Sequence, residues 1–197
     1  MDLINSIEKR RTHFTIEKAP NLDEDALIND IKGVVNHSPS PFNTQHQTVY
    51  VALNEYHDKV WDIIIDSIQS TTSSKRYEKL KDKIEGFKEG HGTILFFDNT
   101  LHIEDLKQRF SKVKDRFETW MHQAQGMTQI NVWNLMGKYD LVASLQHYNP
   151  KIDDKIKKLF NIPSFMTLQA QMPFGKQKGP LKGKDFKPIE DRFKVFS

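Results

Sequence analysis

The chain of 197 residues contains no cysteine. That excludes disulfides, thiolate catalysis and cysteine-ligated metal, and it leaves the cytosol as the default compartment. No apolar run is long enough to span a bilayer. The first residues, MDLINSIEKRR, carry acidic side chains and lack an apolar h-region, so they do not read as a signal peptide. The absence of G-x-S-x-G, of a Walker-type loop and of G-x-G-x-x-G argues against hydrolases, kinases and ordinary dinucleotide folds. Among eight histidines none has HExxH-like spacing, so no metal site is expected. His57, His91, His102 and His122 read most simply as surface residues. There are no internal repeats.

What is present fits one soluble domain with a real core: 37% hydrophobic residues, 28% charged, and thirteen Phe to line a pocket or an interface. The net charge of +3 is unevenly placed. Phe174–Ser197 holds six Lys and one Arg against Asp185, Glu190 and Asp191, a balance of +4, so the first 173 residues stand at −1. The basic character is a property of the tail, which weakens any nucleic-acid reading of the body. A Lys/Gly/Pro-rich arm of this kind cannot fold alone and is expected to be disordered or to lie on a partner.

Periodicity predicts a short helix over 2–11, with Leu3, Ile4 and Ile7 on one face. Asn21 and Glu24 have the form of a capping box opening a second helix with Leu27, Ile28, Ile31, Val34 and Val35 at helical period. Thr48–Leu53 alternates as a strand, Glu55–Ser70 and Tyr77–Lys88 read as helices, and TILFF (Thr93–Phe97) as a central buried strand. A helix is expected over Glu104–Gln123, separated by Gly126 from a core helix Met127–Lys138. A short strand Leu141–Leu145, a short helix Asp153–Phe160 and a strand Thr167–Met172 follow. In the last strand Met166, Leu168, Ala170 and Met172 share one face. The expectation is an α+β domain over 1–173, with a four- or five-stranded sheet, many helices and an arm over 174–197.

Three segments carry candidate chemistry. Arg10-Arg11-Thr12 falls where the first helix ends. Two cations there suit the negative end of a helix dipole, and equally a phosphate, whose oxygens match Arg forks and a Thr hydroxyl. HSPSPFNTQ (His37–Gln45) cannot be helix or strand, because Pro39 and Pro41 lack amide protons and push Ser38 and Ser40 out of the α region. Its hydroxyls and its amides, Asn43 and Gln45, satisfy a plain turn or grip the polar edges of a flat heteroaromatic ligand. Ser144-Leu145-Gln146-His147-Tyr148 follows a strand end, a favoured ligand position that is also an ordinary site for a surface turn.

Taken in order, RRT, HSPSPFNTQ, GTILFF, ASLQHYNP, QMPFG and FKPIEDRFKVF resemble the nitroreductase family of FMN-dependent oxidoreductases. The likeness covers nearly the whole chain and is strongest to a small subgroup named for a fatty-acid-repression mutant. It implies the nitroreductase fold, with a mostly antiparallel sheet surrounded by helices, and a domain-exchanged homodimer with FMN at the interface. By that resemblance Arg10, Arg11 and Thr12 hold the flavin phosphate and ribityl chain. Pro39, Ser40 and Asn43 reach the FMN of the other subunit, with Gln45 just beyond, and Gln146 and His147 lie at the reactive flavin edge. Arg192 and Lys194 are the late basic residues that contact phosphate, and the arm packs on the partner. Pro41 and Thr44 stand where Ala or Ser is common, and Thr12 replaces a frequent Ser; none of these removes a donor.

The resemblance also implies a ping-pong cycle, in which NADH or NADPH reduces FMN and is replaced by a nitroaromatic or quinone acceptor. The protein then needs no catalytic acid or nucleophile of its own, which agrees with their absence. Phe42, Phe96 and Phe97 read first as core residues, with the cavity wall as the alternative. The alternative is a flavin-binding regulatory or redox-sensing protein with little turnover.

Overall fold

The computed structural model describes residues 2–181 and 183–196. These form seven helices: α1 (Leu3–Lys9), α2 (Glu24–His37), α3 (Asn54–Thr71), α4 (Ser74–Lys88), α5 (Thr100–Arg109), α6 (Phe117–Met136) and α7 (Asp153–Phe160). The strands are β1 (Ile16–Glu17), β2 (Gln47–Leu53), β3 (Gly92–Asn99), β4 (Val142–Ala143) and β5 (Met166–Gln177). The sheet runs β1-β5-β3-β2, with β4 also pairing β5, and every strand pair is antiparallel. The α+β architecture and the five-stranded sheet are as expected.

Strand β3 is central because it has no polar face to show. Ile94 and Phe96 point to one side and Leu95 and Phe97 to the other, as the twofold pleat requires, and all four are fully buried. Leu95 and Phe97 pack with Trp61 and Ile64 of α3, Phe87 of α4 and Ile156 of α7. Ile94 and Phe96 pack with Leu27 and Ile31 of α2 and Val132 and Met136 of α6. Helices on both faces explain why an antiparallel strand reads as a continuous apolar run. Phe96 and Phe97 are therefore core residues.

In β5 the expected single apolar face is split. Phe96 pairs with Ala170 but Phe97 pairs with Leu168, so one extra residue is accommodated between them. Such a bulge turns the following side chains over. Met166 and Leu168 join the α3 side, while Ala170 and Met172 join the α2–α6 side. The strand also runs on to Gln177 and fully buries Phe174, so the arm departs at Lys178, four residues later than the sequence predicts. Gly175 permits this course, since a Cβ there would run into the Glu17 carbonyl of β1.

Other boundaries shift for local reasons. The N-cap of α2 is Asp23, whose carboxylate accepts from the Ala26 N–H at 3.0 Å, so Asn21 does not cap it. The predicted break at Gly126 is absent, and α6 passes through it; the break falls instead at Phe110 (φ −123°, ψ 55°). A 3₁₀ segment, Ser111–Arg116, then folds Leu106, Phe110, Val113 and Phe117 around one small aromatic cluster. Glu104 and Asp105 thus lie inside α5 and pair with Lys107 and Arg109, whereas Asp153 and Asp154 do open a helix. The stretch Met127–Lys138, expected as a core helix, buries Val132 and Met136 but leaves Met127 and Ile130 exposed. His57 is buried, not on the surface. Its Nε2–H donates to Lys88 O at 3.0 Å, and its Nδ1 accepts from Thr93 Oγ1 at 2.8 Å. Among the described residues no helix is long and apolar enough to cross a membrane.

Candidate functional site

Helix α1 stops at Lys9 because Arg10 turns extended (φ −64°, ψ 115°), its N–H closing on Ser6 O at 3.0 Å. The chain then lies along β4. Thr12 bridges Ala143 in parallel, and the His13 N–H donates to Ala143 O at 3.2 Å. This places the Arg10 guanidinium over the Trp133 ring of α6, 4.4 Å from its centroid. Arg10, Arg11, His13 and Trp133 wall a cavity of about 330 Å³. A second cavity of about 460 Å³ shares Arg10, Arg11 and His13 and adds Thr12 and Lys184.

Burial first, and repulsion from Arg11 second, hold both Arg10 and His13 below their ordinary pKa values. Lys9 joins the two arginines on the first wall, against Asp140, which pairs with Lys176 at 2.7 Å. The potential in this cavity is therefore positive and suits an anion. Sequence reasoning found the arginines but missed Trp133 and His13. Trp133 lies more than a hundred residues away on a helix whose pattern reads as core, so no local signal marks it.

Gln146 continues the same edge three residues past Ala143. Its N–H donates to Gln171 O at 2.7 Å, and Gln171 N–H returns to Gln146 O at 2.9 Å. The Gln146 amide is tied to Ser144 Oγ at 2.8 Å, and His147 is exposed. Gln171, fully buried, accepts from the Tyr148 N–H at 2.8 Å and so holds the loop from the core side. Tyr148 is half-buried edge-on to Trp61, and burial pushes its hydroxyl up to about 12.

The HSPSPFNTQ corner behaves as its prolines dictate at first. Ser38 (φ −71°, ψ 129°) and Ser40 (φ −143°, ψ 153°) are both extended. A 3₁₀ turn, Pro41–Asn43, follows, and Phe42, Asn43 and Gln45 all take positive φ, at 53°, 54° and 52°. Three left-handed residues in four positions are costly for non-glycines and persist only where the surroundings hold them. Here Ser40 Oγ accepts from the Gln45 N–H at 2.9 Å, and Gln47 Nε2 donates to Pro39 O at 2.9 Å. Phe42 stacks on Phe110 at 4.5 Å. Pro39, Asn43 and Gln45 are not held this way by their own side chains, and Asn43 and Gln45 remain exposed.

Within one chain the two groups line different cavities: Gln45 belongs to a groove of about 570 Å³ with Ile28, Val35 and Val49, which contains none of Arg10, Arg11 and Thr12. Arg192 and Lys194 lie exposed on the arm and line neither arginine cavity.

A model of the nitroreductase family matches residues 7–176. The chain belongs to that family. The Saccharomyces cerevisiae protein HBN1 is 30% identical over 198 residues, covering 98% of this chain and 96% of its own length. The nitroreductase CinD from Lactococcus lactis, solved in complex with chloramphenicol, is 34% identical and superposes with a TM-score of 0.89 over 100% of both chains. A nitroreductase from Desulfitobacterium hafniense, solved with bound FMN, shares the fold at 12% identity, with a TM-score of 0.71 over 98% of this chain and 97% of its own. Family membership makes the protein a nitroreductase-type oxidoreductase.

Proposed function

We propose that the protein is an FMN-dependent NAD(P)H oxidoreductase that acts as a homodimer on nitroaromatic or quinone-type acceptors. The observation that carries this reading is the positive cavity in which Arg10 stacks on Trp133 beside Arg11 and Thr12. FMN pairs a doubly charged phosphate with a flat aromatic ring, and these residues fit both. Arg10 and Arg11 would hold the phosphate, with Thr12 adding a hydroxyl. Gln146 and His147 would set the backbone edge facing the ring, and Arg192 and Lys194 would add late cations. Bound FMN supplies the hydride acceptor for NADH or NADPH and then the donor to the acceptor substrate.

The second subunit is supported by what one chain leaves uncovered. The face Leu3, Ile4 and Ile7 is exposed throughout, as are Phe186, Phe193 and Phe196 of the arm, the last at 94%. A partner that covers them would also bring its Pro39, Ser40, Asn43 and Gln45 to the cofactor. CinD has also been solved with 4-nitrophenol, a nitroaromatic, which supports the acceptor class. The test is direct: purified protein should be yellow and bleach anaerobically with NADH or NADPH. A colourless protein that fails to take up FMN overturns the proposal.

A further inference from the structure

Beneath the corner lies a buried polar group that the flavin chemistry does not use. His46 and Asp98 are both fully buried, with His46 Nε2 3.7 Å from Asp98 Oδ1. Gln125 of α6 donates through Nε2 to Asp98 Oδ1 at 2.8 Å and to Phe97 O at 3.0 Å. On its other side His46 Nδ1 sits 3.1 Å from Thr44 Oγ1, and Thr44 donates its hydroxyl proton to Pro41 O at 3.0 Å. A hydroxyl has one proton, so Nδ1 must be the donor to Thr44. That leaves Nε2 of a neutral His46 as a lone pair facing a carboxyl oxygen. At 3.7 Å the two make no hydrogen bond, and Nε2 and the other carboxyl oxygen, Oδ2, are both buried without a hydrogen-bond partner, so a negative charge on Asp98 would be poorly compensated.

Burial decides which state is held. It pushes Asp98 up to about 7, opposed by the Gln125 hydrogen bond, and it pushes His46 down, aided by repulsion from His102 of α5 and His122 of α6 and opposed by the Met121 carbonyl. Burial therefore favours the neutral form of both groups, which for Asp98 is the protonated acid. When Asp98 ionises, its charge meets the Nε2 lone pair in a fully buried setting of low dielectric. Gln125 holds Asp98, so the repulsion falls on His46 and on its hydrogen bond to Thr44.

We infer that His46 and Asp98 are positioning residues for the cofactor, the uncharged state of the buried pair keeping the Pro41–Thr44 turn, and hence Ser40 and Asn43, set to reach it. The inference rests on the flavin reading of the corner. Its distinguishing feature is a dependence on one buried proton, which packing alone would not produce.

The test is the FMN dissociation constant of the full-length protein between about pH 6 and pH 8.5, for wild type, Asp98→Asn and His46→Leu. The Asp98→Asn variant carries no charge at any pH and keeps an oxygen for the Gln125 amide to donate to, so it mimics the neutral acid. Wild-type affinity should fall about tenfold across the range, the equivalent of one pKa unit of coupling. Apart from the change that the FMN phosphate imposes on every form, Asp98→Asn should stay tight and His46→Leu weak across the range. Ionisation of the FMN phosphate is common to all three and cancels in the comparison. A wild-type slope retained in Asp98→Asn overturns the inference. If no form binds FMN, the flavin reading fails by itself, and the coupling is read from the amide NMR shifts of Thr44 and Gln45. Those shifts should titrate near pH 7 in wild type and stay fixed in Asp98→Asn; identical titrations in both overturn it.

Discussion

The guanidinium of Arg10 lies 4.4 Å from the centre of the Trp133 ring, which fixes a cation on the wall of a cavity where positive side chains outnumber negative ones. Stacking presets the Arg fork, so little side-chain freedom is lost when it meets an anion. Arg10→Ala should weaken FMN binding about 10- to 100-fold, the range of about 1.5–3 kcal/mol for a charge-assisted hydrogen bond. Arg10→Lys keeps the charge but loses the fork and should fall between. Quenching of flavin fluorescence on titration measures both, and unchanged retention in Arg10→Ala would reject the phosphate role.

Whether one site draws on two chains is decided by mixing lesions. Arg10→Ala and Asn43→Ala each should empty a homodimer of much of its flavin. In a heterodimer of the two, exchange puts both lesions in one site and leaves the other intact. Co-expressed, differently tagged subunits should then recover about half of the wild-type flavin content, the stoichiometry expected of an isologous interface. No recovery would place Arg10 and Asn43 of the same chain in the same site.

Much of this was legible in the sequence, for identifiable reasons. The helical stripes of α2 and α3, the TILFF strand and the extended Ser38 and Ser40 follow from side-chain period and proline sterics, which act locally. The order of RRT, HSPSPFNTQ and ASLQHYNP marked the family, though each segment alone reads as a turn. What was missed depends on distant partners. The β5 bulge is set by pairing with Phe97, the Phe110 break by an aromatic cluster assembled from α5, α6 and Phe42, and the burial of His46 by Asp98 and Gln125. Trp133 joins the wall of the arginine cavity only because α1 ends beside it.

Gly175 ends the QMPFG phrase, and its role is steric. A Cβ there meets the Glu17 carbonyl, a rigid backbone atom, and the His91 N at 3.1 Å. Gly175→Val should force β1 from the sheet edge and cost about 1–3 kcal/mol, the usual range for overpacking. Because β1 follows the Arg10–Thr12 segment, flavin retention should fall along with the midpoint of urea unfolding. Full stability in Gly175→Val would show that β1 moves aside freely.

The arm makes a different prediction, because its apolar side chains are exposed while the sheet closes at Gln177. Deleting everything after Gln177 should leave far-UV circular dichroism and the core unfolding transition nearly intact. Dimer affinity should drop, seen by light scattering at falling protein concentration. An unchanged dimer would mean that the arm contributes nothing to the interface.

Asp98 sets a pH dependence of folding whose sign is fixed by its environment. Burial raises its folded-state pKa to about 7, against about 3.9 for an unfolded Asp. Between those values the native state binds more protons than the unfolded one, so its contribution to stability is largest below pH 4 and is lost as pH rises through 7. Asp98→Asn removes the ionisable group while keeping an acceptor for Gln125. The variant should therefore gain on wild type as pH rises, by roughly 1–3 kcal/mol at pH 8, the cost of an unsatisfied buried polar group. At about pH 5 the difference should shrink. Urea unfolding at the two pH values measures it, and a gap that is equal at both, or that widens at low pH, would show that Asp98 is ionised in the folded protein and paired with a protonated His46.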